Sequence, residues 1–337
     1  MNGAPPVNGT FAAMLAGIAA FLLIPSASSA EPSAPLQLEA KISLGNVAGR
    51  IDHMAYDTPR NRLFVAELGN NSVGVVDINA RKVIHRISGL KEPQGVAYLA
   101  SRDLLYVTNG GDGEVRIHRG SDFSPAAVIP LGSDADNIRL DPSGNRIVIG
   151  YGRGALALID PAGGAKVVDI PLKAHPESFQ LDPGSDRIFV NLPETRSIAV
   201  VDKATGHELA NWQQAHSGNF AMALDNEQQR VFVVFRNPAK FVALAKDTGA
   251  VGAETDICGD VDDLFLDARH QRVYISCGQD FIDVLDAHDP AFRRLGRVAT
   301  VPGARTSLFV ADADRLFLAV RAQAGQAPAI WVYRPTE

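Results

Sequence analysis

A short β-rich segment that recurs seven times along the chain constrains the fold more than any other feature. Typical copies are Leu63-Phe64-Val65-Ala66 and Val273-Tyr274-Ile275-Ser276. Self-similarity with a period of roughly 20 to 50 residues is the signature of a repeat architecture. Successive copies are 42, 42, 41, 43, 42 and 43 residues apart, and they begin at Leu63, Leu105, Ile147, Ile188, Val231, Val273 and Leu316.

Each copy has the pattern of four short strands. In the fourth copy these are residues 178–181, the anchor strand 188–191, residues 197–201 and a more polar strand at 208–212. Short β-rich runs bounded by Gly, Pro, Asp and Asn, with no helical period between them, predict a four-stranded antiparallel sheet. Seven such sheets arranged radially form a β-propeller, so the predicted fold class is an all-β, seven-bladed propeller.

The two ends of the chain complement each other. The seventh copy stops after its third strand at residues 330–333, and an unassigned strand at residues 36–42 precedes the first copy. We expect this N-terminal strand of the mature chain to complete the last blade. Closure of the ring would hide sheet edges that otherwise invite aggregation.

The first thirty residues have the pattern of a secretory signal peptide. Residues 11–24 form an apolar run of 14, followed by Pro25 and small residues up to Ala30, although residues 1–10 lack Lys and Arg. Such a run is short for a membrane span and precedes a small-residue cleavage site. We predict cleavage after Ala30, a single propeller domain over 31–337, no remaining span, and a periplasmic or secreted location. An uncleaved membrane anchor is the alternative.

The two cysteines flank the first two strands of the sixth copy. Cys258 and Cys277 are 19 residues apart, and an antiparallel hairpin would bring them to the same end of the blade. In an oxidising compartment this arrangement favours a structural disulfide. A redox pair or a soft-metal site is the alternative, but the chain has no CxxC motif and no histidine pattern nearby to support either.

The repeat resembles the YVTN β-propeller family. Tyr106-Val107-Thr108-Asn109 spells the motif, and Val-rich strands ending in Asp77, Asp160 and Asp202 lead into Gly-containing hairpins in the manner of that family. The resemblance covers residues 36–334, with the full motif in one copy. It implies an exported seven-bladed propeller. The family includes surface-layer and nucleic-acid-associated proteins, and similar propellers occur in lactonases and lyases.

Candidate functional residues lie where the innermost strands begin. In a propeller these positions gather around one mouth of the axial channel, which is the default ligand site. Asp134, His175 and Asp260 lie further out and predict an acidic rim with Arg305 as its one cation, and Arg236 is expected on the same face. The candidate ligand-binding residues are Asp52, His53, Gln94, Asp136, Asn137, Glu177, Asn219, Asp262, Asp263 and Arg305.

Two interpretations of these residues stay open. The carboxylates of Asp52, Asp136, Glu177 and Asp262 are oxygen ligands suited to a hard divalent cation such as calcium. Alternatively, the polar residues line a water-filled channel and the aspartates cap turns. If the site is catalytic, the candidates are His53, His175 and Arg305, with a histidine moving a proton beside a bound metal ion.

The net charge and the absence of several catalytic motifs reduce the number of functions that the sequence supports. With 32 Lys and Arg against 38 Asp and Glu, the net charge of −6 argues against a nucleic-acid partner. GxSxG, GxxxxGK[ST], HExxH and CxxCH motifs are absent. The sequence favours a monomeric, exported binding module for a small polar ligand, an ion or a protein partner. The alternatives are a metal-dependent lactonase- or lyase-type enzyme and a nucleic-acid-associated propeller.

Overall fold

The structure is a computed structural model that describes residues 1–10, 34–141, 146–162 and 164–337. The predicted signal segment at 11–24 and its cleavage site at Ala30 lie outside the described residues. Ala34–Glu337 is one compact unit. Among the described residues the helices are 3-10 turns of three residues, and none is long and apolar enough to cross a membrane. They are Leu68–Asn70, Ala100–Arg102, Pro193–Thr195 and Ala311–Ala313.

The strands form seven four-stranded antiparallel sheets, which we number as blades. Strand β1 (Leu36–Ser43) precedes the repeats. Blade 1 comprises β2 (Met54–Asp57), β3 (Arg62–Glu67), β4 (Ser72–Asp77) and β5 (Lys82–Ser88). Blade 2 comprises β6 (Pro93–Leu99), β7 (Leu104–Asn109), β8 (Glu114–Arg119) and β9 (Pro125–Pro130). Blade 3 comprises β10 (Ala135–Leu140), β11 (Ile147–Tyr151), β12 (Ala155–Ile159) and β13 (Lys166–Pro171).

The remaining blades repeat the same order. Blade 4 comprises β14 (Phe179–Leu181), β15 (Arg187–Leu192), β16 (Ser197–Asp202) and β17 (Glu208–Gln213). Blade 5 comprises β18 (Ser217–Asp225), β19 (Arg230–Asn237), β20 (Ala239–Ala245) and β21 (Val251–Asp256). Blade 6 comprises β22 (Val261–Asp267), β23 (Arg272–Cys277), β24 (Phe281–Asp286) and β25 (Arg294–Ala299). Blade 7 comprises β26 (Ser307–Val310), β27 (Arg315–Val320), β28 (Ala329–Pro335) and β1.

The seven blades form a ring. The innermost strand of each blade contacts that of the next, and β26 of the last blade contacts β2 of the first. The predicted all-β, seven-bladed propeller is therefore confirmed. In blade 7, β1 pairs antiparallel with β28, from Leu36 opposite Pro335 to Ser43 opposite Ala329.

The hydrophobic core lies between the blades, which explains why the anchor strands are apolar on both faces. All six residues of β3 are buried. Leu63 and Val65 pack into a cluster shared with blade 7, whereas Phe64 and Ala66 pack into one shared with blade 2. A strand that is covered on both faces carries a continuous apolar run instead of an alternating one, and such a run is the repeat seen in the sequence.

Each blade has an irregularity at its outer edge. The register between the third and fourth strands shifts by one residue at the same place in all seven blades, for example between Val200 and Val201 in blade 4. A bulge bends and twists an edge strand, which discourages pairing with a second sheet. The outer edges are thus protected against association between propellers.

The predicted disulfide between Cys258 and Cys277 is present. Both cysteines are buried. Cys258 lies in the loop before β22, and Cys277 ends β23. The bridge therefore ties the loop between blades 5 and 6 to its own sheet. A backbone hydrogen bond of 2.8 Å from Gly278 N to Asp260 O continues this connection toward the channel mouth.

Candidate functional site

A cavity of about 780 Å³ opens at the mouth of the channel where the inner strands begin. Because these starts come from different blades, the ring brings together residues that are far apart in the sequence. The predicted site residues that line this cavity are Gln94, Asp134, Asp136, His175, Glu177, Asp262 and Arg305.

The other predicted residues lie deeper or elsewhere. Asp52, His53, Asn137 and Asp263 line an adjoining cavity of about 40 Å³, which we call the throat. The throat and the mouth share Asp136, Glu177 and Asp262 in their walls. Asn219 lines neither, because it is fully buried and donates hydrogen bonds to Asn191 Oδ1 (3.2 Å) and Ser197 O (2.9 Å).

The mouth is less acidic than the sequence suggested. Arg305 was expected to be its one cation besides Arg236 on the same face, yet Arg50 and Arg153 also line the cavity. Arg50 lies in the segment that leads into β2, and Arg153 lies in the turn between β11 and β12. Both positions fall outside the strand starts on which the sequence interpretation was based. The mouth is therefore lined by both signs of charge.

Asp262 is neutralised by two arginines. Arg236 donates to Asp262 Oδ1 at 2.5 Å, and Arg305 Nε lies 3.3 Å from Asp262 Oδ2. Arg305 also bonds to Asp260, and the Arg236 guanidinium stacks 3.5 Å from the ring centre of Phe220. These contacts hold the wall formed by blades 5 to 7 in place.

His175 is a cation on the opposite wall. Its Nδ1 donates to Gly152 O, and its Nε2 lies 3.6 Å from Asp136 Oδ2. Asp134 Oδ2 is 3.7 Å from Nδ1. The interaction with Asp136 is the main reason that the pKa of His175 rises to about 9, so its ring is protonated at neutral pH.

Glu177 differs from its neighbours because its carboxylate makes no hydrogen bond or ion pair within the described part of the chain. It lies two residues after His175 in the sequence and borders both the mouth and the throat. Burial, followed by repulsion from Asp136, raises the pKa of Glu177 to about 7. A desolvated carboxylate without a partner favours a cation or a hydrogen-bond donor beside it.

The throat holds a compact polar group. Arg50 Nη2 lies 2.7 Å from Asp52 Oδ2, and Asn137 Nδ2 lies 3.0 Å from His53 Nε2. Burial raises the pKa of Asp52 to about 6 and that of Asp263 to about 7. Burial alone would lower the pKa of His53, but the surrounding carboxylates, Asp52 first, outweigh it and raise the value.

The channel carboxylates do not converge as a ready-made metal site. A metal site needs several ligand atoms close together. Within the described ranges, the His, Cys, Asp and Glu side chains that meet this condition, with ligand atoms within 4.8 Å of one another, are those of Asp267, His270 and Asp314. Asp267 ends β22, and His270 and Asp314 lie on turns away from the mouth; His270 Nδ1 is 2.7 Å from Asp267 Oδ2. Calcium coordination by Asp52, Asp136, Glu177 and Asp262 stays a prediction.

Comparisons with known proteins do not assign the chain to a family. Neither a family model nor a curated protein matches the chain. The family resemblance therefore depends on the repeat pattern itself. The structure shows a seven-bladed β-propeller with a charged cavity at one mouth of its channel.

Proposed function

We propose that this chain is an exported YVTN-type propeller that binds a small polar ligand at the mouth of its channel. A preformed concave cavity with a few convergent polar groups is the usual form of a ligand site. The mouth has a volume of about 780 Å³ and is lined mainly by charged side chains. The buried disulfide between Cys258 and Cys277 is compatible with export to an oxidising compartment.

The carboxylate of Glu177 is the observation that carries the proposal. Asp136 and Asp262 have cationic partners, and Asp134 accepts a hydrogen bond of 3.2 Å from Gln94 Nε2. Glu177 has neither, and burial makes its charge costly. A ligand that brings an ammonium group or another donor to this position would supply the missing partner.

The wall that carries Arg236 and Arg305 suits the rest of such a ligand. Arg305 and Arg236 each keep contact with Asp262, so their guanidinium groups are held in position. An anionic or polar group on the ligand would meet this wall while its ammonium group meets Glu177. We therefore expect a small polar molecule with a cationic end, bound without chemical change.

Calorimetric titration of the purified protein with ethanolamine, choline and free lysine tests the proposal. We expect at least one of them to bind and Glu177→Gln to weaken that binding about tenfold, the cost of losing a charged hydrogen bond. Glu194→Gln is the matched control, because Glu194 lines the same cavity but is exposed. Binding that is equal in both variants would contradict the role of Glu177.

The alternatives have their own readouts in the same preparation. Stoichiometric calcium that is lost in Asp136→Asn would make a cation the ligand and would support the metal-dependent enzyme. Steeply salt-dependent association with DNA would support the nucleic-acid-associated propeller. Either result, without binding of the cationic probes, would overturn the proposal.

A further inference from the structure

The channel has a third cavity, of about 340 Å³, further along the inner strands. It begins beyond the throat, with which it shares His53, Arg139 and Asp263, and it shares no lining residue with the mouth. Half of the residues that line it carry apolar side chains, whereas the mouth is lined mainly by charged ones. We call it the far cavity. The apolar residues that line it include Met54, Ile138, Leu140, Phe265 and Leu308.

Arg139 brings a positive charge into the far cavity, where none of the described carboxylates forms an ion pair with it. Its one hydrogen bond is from Nη1 to the carbonyl of Ile138, at 2.8 Å, and no carboxylate of the described residues lies within ion-pair distance of its guanidinium. Burial lowers the pKa of Arg139, and Asp263 and Asp136 only partly offset that effect. The guanidinium faces the ring of Phe179, with its Cζ 5.8 Å from the ring centre, and it keeps N–H donors that make no hydrogen bond within the described residues.

The other polar side chains of the far cavity each have a partner, and that of His53 is Asn137, whose Nδ2 lies 3.0 Å from His53 Nε2. Gln180 Nε2 donates to Met222 O at 2.8 Å, and Ser276 Oγ donates to Ser307 Oγ at 2.7 Å. Asp263 Oδ2 accepts a hydrogen bond of 2.7 Å from Ser307 N. Arg139 is thus the group to which a ligand would bind.

We propose that the far cavity binds a monocarboxylate with a short apolar body, its carboxylate against Arg139 and its body against the apolar walls. A guanidinium presents paired donors that match the two oxygens of a carboxylate. A single negative charge balances one guanidinium, whereas a phosphate dianion would bring a second charge close to Asp263. This site is separate from the proposed ligand site at the mouth.

Titration of the purified protein with hexanoate and benzoate tests the inference, with hexanamide and benzamide as neutral counterparts. We expect the acids to bind at least about tenfold more tightly than the amides. Arg139→Gln should weaken binding of the acids about tenfold and leave the amides unchanged. Arg139→Lys, which keeps the charge but loses the paired donors, should lie between the two.

The controls separate this site from the mouth and from a folding defect. Arg153→Gln removes a guanidinium from the mouth, so it should bind hexanoate like the unaltered protein. If Arg139→Gln does not fold, Leu308→Trp at a half-exposed position should block the far cavity and abolish binding while Arg139 stays. Equal affinity for acids and amides, no binding of either acid, or unaltered hexanoate binding in a folded Arg139→Gln or Leu308→Trp protein would overturn the inference.

Discussion

A disulfide joins Cys258 and Cys277 at one end of blade 6, with their Cα atoms 5.8 Å apart. Cys258 lies in the loop that continues to Asp260, which accepts a hydrogen bond from Arg305, and then into β22, where Asp262 lines the mouth. The disulfide therefore holds one wall of the candidate site as well as the blade.

Replacing both cysteines with serine should lower the free energy of unfolding by about 3 kcal/mol, because the bridge closes a loop of 19 residues in the unfolded chain. Urea unfolding of Cys258→Ser/Cys277→Ser beside the unaltered protein measures this. The unaltered protein treated with reductant in urea should match the variant. Two titratable thiols in unreduced, unfolded protein would contradict the disulfide.

Glu177→Gln should make stability less dependent on pH between 4.5 and about 7. The pKa of Glu177 is raised from 4.5 to about 7 in the folded protein, so in this interval the folded state binds more protons than the unfolded state. Stability from this group is therefore present below pH 4.5 and is lost as the pH rises through 7. Urea unfolding at pH 4.5 and 7.5 gives the difference, and Glu194→Gln should retain the full pH dependence of the unaltered protein.

His175→Asn should change the free energy of unfolding in a higher pH interval than Glu177→Gln does. The folded-state pKa of about 9 exceeds the ordinary 6.5, so the contribution of His175 is complete below pH 6.5 and is lost as the pH rises through 9. Asparagine can keep the donor to Gly152 O but not the charge beside Asp136. The variant should lose stability at pH 6.5 and differ less from the unaltered protein at pH 9.5. His207→Asn, on an exposed turn, serves as the control, and an equal loss at both pH values would refute the ionic role.

A chain that begins at Leu44 should aggregate or unfold at lower denaturant concentration. It lacks β1, whose Lys41 lies 3.8 Å above the ring centre of Trp331 and whose Glu39 pairs with Arg315 at 2.5 Å. Strand β28 would then present an open edge. A chain that begins at Ala34 keeps β1 and should behave like the full chain in light scattering and urea unfolding. A stable monomer from Leu44 onward would show that β1 is dispensable.

Much of the fold could be predicted because its determinants are local and repeated. The apolar pattern at Leu63 recurs at every anchor, and each copy specifies the same four strands wherever it occurs. The Cys258–Cys277 bridge was predictable for a related reason, since an antiparallel hairpin places its two ends side by side. Neither prediction needed the position of one blade relative to another.

The tertiary structure alone decided which charged groups have partners. Asp262 and Glu177 look alike in the sequence, yet Asp262 meets Arg236 and Arg305 from the blades on either side, whereas the Glu177 carboxylate meets no partner. Asn219 likewise begins an inner strand but is buried against Asn191. These partners come from neighbouring repeats: Arg236 is 26 residues from Asp262, and Asn219 is 28 residues from Asn191. The repeat pattern therefore determines the propeller fold. The arrangement of the blades in the closed ring determines which charged side chains lack a partner and can bind a ligand.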